Sequence, residues 1–303
     1  MKLSLNLLAI LMIAFSFSAQ AQKHSFHYNL KKGDSFSHTT ISDSKVSQEM
    51  MGQKMDIAMQ TTMKVTFKVT DVKDGLYTLD LTYTLLRIDQ EVMGQKMLMS
   101  SVSSENTNPM FTEINNMLNA MMNIPVSFTL TKNGEVKDIK GAEKIQKAMI
   151  ASLSNPDSAI ATQFLDQYNE KSIKTILDQS ISLFSPNNPV GIGESWEKEM
   201  LINQVQIDID ATHKMTLLSV ANNIATIKIE TKIGKPDKTY TMEMNGMSIK
   251  STIKGIQNGT IEIDLRTGWM KGADLKQDLD MDSEVMGTKL PQKITSLIKT
   301  NVE

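Results

Sequence analysis

One short cassette constrains this chain more than any other feature. It reads Glu91-Val-Met-Gly-Gln-Lys-Met97, with a near copy at Glu49-Met-Met-Gly-Gln-Lys-Met55. Weaker copies stand at Glu243-Met-Asn-Gly-Met-Ser248 and Glu284-Val-Met-Gly-Thr-Lys289. Each lies between runs in which polar and apolar residues alternate. A glycine there takes the positive φ that a three-residue hairpin loop needs at its last position, so all four are expected to be β-hairpin tips. Such a chain is built from strands paired to their sequence neighbours, and the tips speak of architecture rather than chemistry.

The alternation supports that expectation. Val65, Phe67 and Val69 alternate with Lys64, Thr66, Lys68 and Thr70; Tyr77, Leu79, Leu81, Tyr83 and Leu85 alternate with Thr78, Asp80, Thr82 and Thr84. Period two with one wet face is the pattern of an antiparallel sheet. It returns in Val205, Ile207, Ile209 and Ala211, in Ala225, Ile227 and Ile229, in Ile261, Ile263 and Leu265, and in Leu275, Leu279 and Met281. Residues 289–302 complete the set as a last strand paired back through the turn at 286–287. Between the two β regions the period changes. Met110, Phe111, Ile114, Met117, Leu118 and Met121 share one face at helical spacing, and 141–183 reads as helix in two or three pieces broken at Asn155-Pro-Asp157.

The expected fold is α+β and predominantly antiparallel β. Two related β-meander modules, 22–140 and 184–303, flank a helical segment at 141–183, and one curved or barrel-like sheet is a way for them to pack. Lys32-Gly-Asp-Ser-Phe36 answers Ile192-Gly-Glu-Ser-Trp196, and Val72 to Asp80 answers Val220 to Lys228, as an internal duplication would leave them.

Residues 1–21 are set apart. Lys2, the apolar stretch Leu7 to Phe17 and the small-x-small site Ala19-Gln-Ala21 make a secretory signal peptide, whose cleavage leaves Gln22 first. The chain has no cysteine, so neither a lipobox thiol nor a disulfide is available. Export to the periplasm or the exterior, without a lipid anchor, is therefore expected. Net charge is −2 with lysines and carboxylates interspersed, which excludes the basic stripe of a nucleic-acid binder. No segment after the signal approaches the length of a membrane-spanning helix.

The run Phe184-Ser-Pro-Asn-Asn-Pro-Val-Gly-Ile-Gly-Glu-Ser-Trp196, the start Tyr28-Asn-Leu-Lys-Lys-Gly33 and the turn Leu265-Arg-Thr-Gly268 carry a resemblance. With the signal peptide they look like an uncharacterised, domain-of-unknown-function family of exported proteins from Bacteroidetes-type bacteria. The resemblance implies an exported β-rich protein and carries over no functional residue.

Catalytic and metal motifs are missing. Gly191-Ile-Gly-Glu-Ser195 lacks the Gly-x-Ser-x-Gly spacing of a nucleophile elbow and the lysine of a phosphate loop. His24 and His27 would sit on opposite faces of a strand, and His213 continues the apolar parity of its strand as a hydrogen-bonded core histidine would. Asp278, Asp280, Asp282 and Glu284 alternate, but a calcium loop would need glycine at 283 and glutamate at 289, where Ser283 and Lys289 stand.

Methionine is the outlier, with 23 residues. Core filling, a soft Cu(I) site and an adaptable apolar groove are three readings of that excess. The groove reading places Phe111, Ile114, Met117, Leu118 and Met121 as ligand-binding residues under a Met-lined sheet. It implies a non-enzymatic exported protein that binds an apolar small molecule, a lipid or a polypeptide, with no cofactor. A Met-rich periplasmic copper binder, or a hydrolase with an unrecognised carboxylate site, is the alternative.

Overall fold

The computed structural model describes residues 22–50, 53–105, 108–154, 165, 168–181, 186, 188–204, 207–244, 247–285 and 287–303. The signal-peptide reading and the Asn155-Pro-Asp157 break lie outside these residues, as does Val205. Thirteen strands run in order: β1 (Ser35–Met50), β2 (Gln53–Lys73), β3 (Leu76–Val92), β4 (Gln95–Ser100), β5 (Val126–Thr131), β6 (Val136–Lys140), β7 (Ser195–Gln204), β8 (Ile207–Ala221), β9 (Ile224–Ile233), β10 (Thr239–Met244), β11 (Met247–Asp264), β12 (Trp269–Val285) and β13 (Thr288–Val302). Among the described residues three α-helices accompany them: α1 (Thr112–Ala120), α2 (Ala142–Ala151) and α3 (Glu170–Ser180).

All thirteen strands join one antiparallel sheet with the path β6-β5-β3-β2-β1-β13-β12-β11-β9-β8-β7; β4 adds to β3 and β10 to β11. The two runs of strands thus share one continuous sheet. The β1–β13 pairing, from His38↔Val302 to Gln48↔Gln292, welds them edge to edge. Helical residues are few among the described residues, so mostly-β describes the fold better than α+β.

The sheet is open, which corrects the barrel expectation: β6 and β7 end the path without pairing to each other. Helix α3 nevertheless packs against both, so the sheet is rolled and the helix fills the seam. Asn169 starts that helix by accepting a hydrogen bond from the Ser172 amide on its side-chain oxygen, and Ile173 and Leu177 turn inward from it. Residues 24–34 cross the lower end of the roll. His24 bridges to Val190, the Tyr28 amide donates to Lys132, the Asn29 amide to Thr267 and the Gly33 amide to Val69. Phe26, Tyr28 and Leu30 of this strap are buried.

The hairpin tips are tighter than expected. Val92 pairs with Gln95, leaving Met93 and Gly94 as a two-residue loop with φ of 51° and 79°. Positive φ at both positions is the type I′ turn, whose twist matches that of the strands. The pairs Met50↔Gln53, Met244↔Met247 and Val285↔Thr288 close the other three hairpins, whose intervening residues 51–52, 245–246 and 286 lie outside the described residues. The strand directions bring all four closing pairs to one upper rim, opposite the strap.

The core lies below that rim. The first cluster holds Val65, Phe67, Val69, Tyr77, Leu79, Leu81 and Tyr83 from the sheet against Met117, Leu118, Met121, Ile145, Met149, Ile173 and Leu177 from the helices. Burying such side chains stabilises the fold by about 1.5–3 kcal/mol each. A bulge where β3 pairs Lys64 and Val65 shifts parity, so Leu86 turns inward where the alternation alone placed Leu85. Trp269 stacks on Phe36 at 4.3 Å and 11°, and its indole N–H donates to His38 Nε2 at 2.7 Å. Gly259 allows β11 and β12 to close up inside the roll, since a Cβ there would stand 2.0 Å from the Asp274 carbonyl oxygen.

The two halves repeat local detail. Gly33 donates to Val69 O and Val69 to Asp34 O; Gly193 donates to Leu217 O and Leu217 to Glu194 O. Each β2-like strand then carries a bulge, at Val69/Asp71 and at Leu217/Ser219, before a turn of two positive-φ residues, Asp74-Gly75 and Asn222-Asn223.

Candidate functional site

Above the helices the sheet continues. β2 has 21 residues and β11 has 18, against about 5–6 in an ordinary strand. The helices pack chiefly against β4, β6 and β7, so the upper inner face of β1, β2, β12 and β13 extends beyond their main contacts.

Register assigns that face row by row, because directly paired residues point the same way. One row is polar from end to end: Lys198, His213, Thr231, Gln257, Gln277, Ser296 and Ser44, on β7, β8, β9, β11, β12, β13 and β1. The row above it is apolar: Met200, Ala211, Ile233, Gly255, Leu279, Ile294, Val46 and Ile57. The row below holds Trp196, Met215, Ile229, Gly259, Leu275 and Ile298. The polar row therefore separates the second apolar cluster (Met215, Leu217, Ile227, Ile229, Ile261) from the third (Ile209, Ala211, Ile233, Ile253, Leu279).

The row pairs its members by hydrogen bonds. His213 Nδ1 meets Thr231 Oγ1 at 2.8 Å, Gln257 Nε2 donates to Gln277 Oε1 at 3.2 Å, and the Ser44 and Ser296 hydroxyls share one bond at 2.8 Å. Polar groups this deep must be paired to be tolerated. His213 is paired on one side only; its Nε2 is buried with no hydrogen-bond partner among the described residues. Burial, and then the charge of Lys198 opposite, push the His213 imidazole down to about 4. Burial also pushes the Lys198 ammonium down, partly offset by Asp178 on α3.

On the β2 side the face is rich in methionine. Met55, Met59 and Met63 on β2 and Met97 and Met99 on β4 all point inward and are half-buried, together with Val46 and Ile57. Met63 and Met99 pack on the first cluster, while the others lie further up. The helix face singled out by the sequence adjoins this region through the contact of α1 with β4. Met117, Leu118 and Met121 are wholly buried in the first cluster, Ile114 packs at its margin, and Phe111 is half-buried in the 3-10 turn before α1. Met110, expected on the same face, is 79% exposed, because Pro109 and the Asn108 cap turn the chain before the helix begins. Two amides fix α1 in place: Asn115 Oδ1 accepts from the Ser100 amide and Asn119 Nδ2 donates to Ser101 O.

The outer face differs. One groove there, about 630 Å³, is lined in part by Ala58, Leu98 and Leu297 with Lys45, Lys96, Lys276, Asp43, Asp89 and Glu91. The Asp278, Asp280, Asp282 and Glu284 stripe lies on this face too, directly between lysines of the flanking strands: Lys254↔Asp280↔Lys293 and Lys250↔Glu284↔Lys289. Thr295 and Lys276 hold the Asp278 carboxyl below the usual range, the reverse of what a general acid needs. Among the described residues no group of three or more His, Asp or Glu could hold a metal ion. The polar row was missed in the sequence apart from His213. Its signal was present as polar residues at inward parity: Ser44, Thr231, Gln257, Gln277 and Ser296.

A family model described as a family of unknown function (DUF6263) matches residues 74–270. The chain belongs to this family. The matched DUF6263 segment runs from the β2–β3 turn into β12 and includes Lys198, His213, Thr231 and Gln257 of the polar row. No curated protein matches the chain. Solved structures similar to it include an outer membrane channel from Pseudomonas putida F1, at 8% identity over 91% of this chain and 97% of that one, with a TM-score of 0.23. DynF from the dynemicin biosynthesis pathway of Micromonospora chersina gives 8% identity over 94% and 85%, with a TM-score of 0.22. The translocator domain of autotransporter NalP from Neisseria meningitidis gives 7% over 98% and 95%, at 0.22. TM-scores of this size carry no argument about this DUF6263 member. No helix among its described residues is long and apolar enough to cross a membrane.

Proposed function

We propose that the protein is an exported, non-enzymatic binder of an apolar ligand, whether a small molecule, a lipid or a polypeptide, held on the inner face of the sheet above the polar row. One observation carries the reading: half-buried methionine and aliphatic side chains continue up that face beyond the main helix contacts. Flexible thioethers adapt to varied apolar shapes, and concave, mostly apolar surfaces with a few polar groups are the usual ligand sites. Phe111 and Ile114 are the half-buried members of the α1 face and stand as its contact residues; Met117, Leu118 and Met121 support them from below.

Export rests on the Lys2, Leu7–Phe17 and Ala19-Gln-Ala21 pattern, and delivery is to the periplasm or beyond. The fold is further proposed to descend from an internal duplication. The matching strap bonds, bulges and turns of its two halves support that origin.

Native mass spectrometry of the protein purified from its own cell envelope tests the binding reading. A retained apolar molecule or peptide is expected. Protein that arrives empty, and that also leaves fluorescent fatty-acid probes unbound, refutes it.

A further inference from the structure

Strand β4 has a single sheet neighbour among the described residues, β3, so its other edge is open. Two bonds show which of its backbone groups face that edge. The Ser101 amide donates to Leu86 O on β3, whereas the Ser100 amide turns away and donates to Asn115 Oδ1 on α1. Backbone groups change side at each residue of an antiparallel strand. Met97 and Met99 therefore bond to β3, and Lys96 and Leu98 present their N–H and C=O groups outward. The two-residue turn agrees, because the bonded pair Val92↔Gln95 closes it. No hydrogen bond from another element reaches the Lys96 or Leu98 backbone among the described residues. Below them the edge is closed. Asn115 is 1% exposed and caps Ser100 with its oxygen, while its Nδ2 is buried without a partner among the described residues. A side-chain amide thus stands where a neighbouring strand would continue, with its donor unused.

We propose that this edge takes up a short extended segment of another protein as an added antiparallel strand. Strand addition draws affinity from main-chain hydrogen bonds and specificity from alternate side chains. Lys96 and Leu98 each supply one donor and one acceptor, and Asn115 Nδ2 offers a further donor at the segment's N-terminal end. The side chains of β4 set the class of segment. The residue opposite Met97 turns to the inner face beside half-buried Met97 and Met99, and is apolar. The residue opposite Leu98 turns outward beside the groove of about 630 Å³ that Lys96 and Leu98 help to line, and is apolar as well. The residue opposite Lys96 is acidic, since Lys96 makes no ion pair among the described residues although Glu91 faces it on β3. From its N-terminus the segment thus runs apolar, apolar, acidic. A second copy of this chain suits the edge less well. Two open rungs bury far less than the about 1,200–2,000 Å² of a stable interface between folded proteins, and a second β4 would bring another Lys96 into the same window. The site stands apart from the inner-face reading, because main-chain groups carry it whether or not that face holds a ligand.

Hydrogen exchange read by NMR on the full isotope-labelled protein tests the edge, with acetyl-Thr-Val-Leu-Glu-Thr-amide as the probe. In the free protein the Lys96 and Leu98 amides are expected to exchange about tenfold faster or more than those of Met97 and Met99, which are bonded to β3. Saturating peptide is expected to protect both and to shift the Asn115 side-chain amide. N-methylation of the peptide's Val or Glu, whose N–H groups face β4, is expected to weaken binding about tenfold, the effect of one main-chain hydrogen bond. N-methylation of its Leu, whose N–H faces away, is expected to have little effect. Leu98→Pro removes one donor from the protein where an edge strand tolerates proline, and is expected to weaken the peptide by a similar factor, with urea unfolding to check that the variant is folded. Lys96→Glu is expected to prefer a peptide with Lys in place of Glu. Equal weakening by all three methylations, or binding that leaves the Lys96 and Leu98 amides unprotected, overturns strand addition. Protection of both amides in the free protein overturns it as well, and protection that grows with protein concentration assigns the edge to a second copy instead. Failure of the peptide to bind at millimolar concentration refutes the inference. None of these results bears on the inner face, which the fatty-acid probes report separately.

Discussion

Acidifying the protein from about pH 7 to pH 4 is expected to remove a large share of its stability, through two buried rings. His38 is 5% exposed and accepts the Trp269 indole N–H, and His213 is 4% exposed and bonded to Thr231. Burial lowers both imidazoles to about 4. In the unfolded chain each titrates near 6.5, so the unfolded state takes up the proton first as pH falls. The stability they contribute is present above pH 6.5, is lost between 6.5 and 4, and changes no further below that. A gap of that size corresponds to about 3 kcal/mol for each ring and about 6 for the pair, against about 5–15 kcal/mol for a whole domain. The local slope is expected to approach about 2.7 kcal/mol per pH unit, the value for two protons. Carboxyls held below the ordinary range, among them Asp210 through Lys238, Asp264 through Arg266 and Glu194 through the Gly191 amide, add their losses toward the acid end, so the part of the window above about pH 5 isolates the rings. Urea unfolding followed by circular dichroism across the window measures the slope. His213→Gln and His38→Gln are each expected to halve it. A flat profile in the wild type, or a slope that neither variant changes, refutes the account of these rings as buried and neutral.

Three further outcomes follow from the geometry. Gly259→Ala is expected to cost about 1–3 kcal/mol in urea unfolding, since its methyl group meets the Asp274 carbonyl; an unchanged midpoint contradicts the close β11–β12 approach. Met93, 83% exposed in a type I′ turn, gains from replacement: Met93→Asn is expected to be neutral or to stabilise by about 0.5–1 kcal/mol, and a loss of that size means that the side chain is engaged. Millimolar calcium is expected to leave the melting temperature unchanged, because the acidic stripe is spread along β12 and flanked by lysines; a calcium-dependent rise would show a site that the strand geometry does not provide.

Much of the architecture was legible because it is local. Alternation fixed which residues of β2, β3, β8 and β9 turn inward, since the side-chain period of a strand is two. The Met-Gly cassettes marked the tips, although the register made the one at Met93-Gly94 a two-residue rather than a three-residue loop. The bulge beside Lys64 and the exposure of Met110 escaped the pattern. Both depend on where the chain inserts a residue or turns before a helix, which composition does not record.

The candidate site was legible only in part. Its methionines and His213 stood out, but the row from Lys198 to Ser44 draws on seven strands up to about 250 residues apart in sequence, as the Ser44–Ser296 bond spans 252 positions. A one-residue change of register would send every one of those side chains to the other face. The sequence by itself determined that this chain makes long antiparallel hairpins with methionine at their tips. Tertiary structure alone decided that the hairpins join through β1 and β13, roll around α3, and align a polar band inside an apolar wall. Periodicity is a property of neighbours along the chain, whereas pairing order and register are settled by which distant strands can bury their faces together.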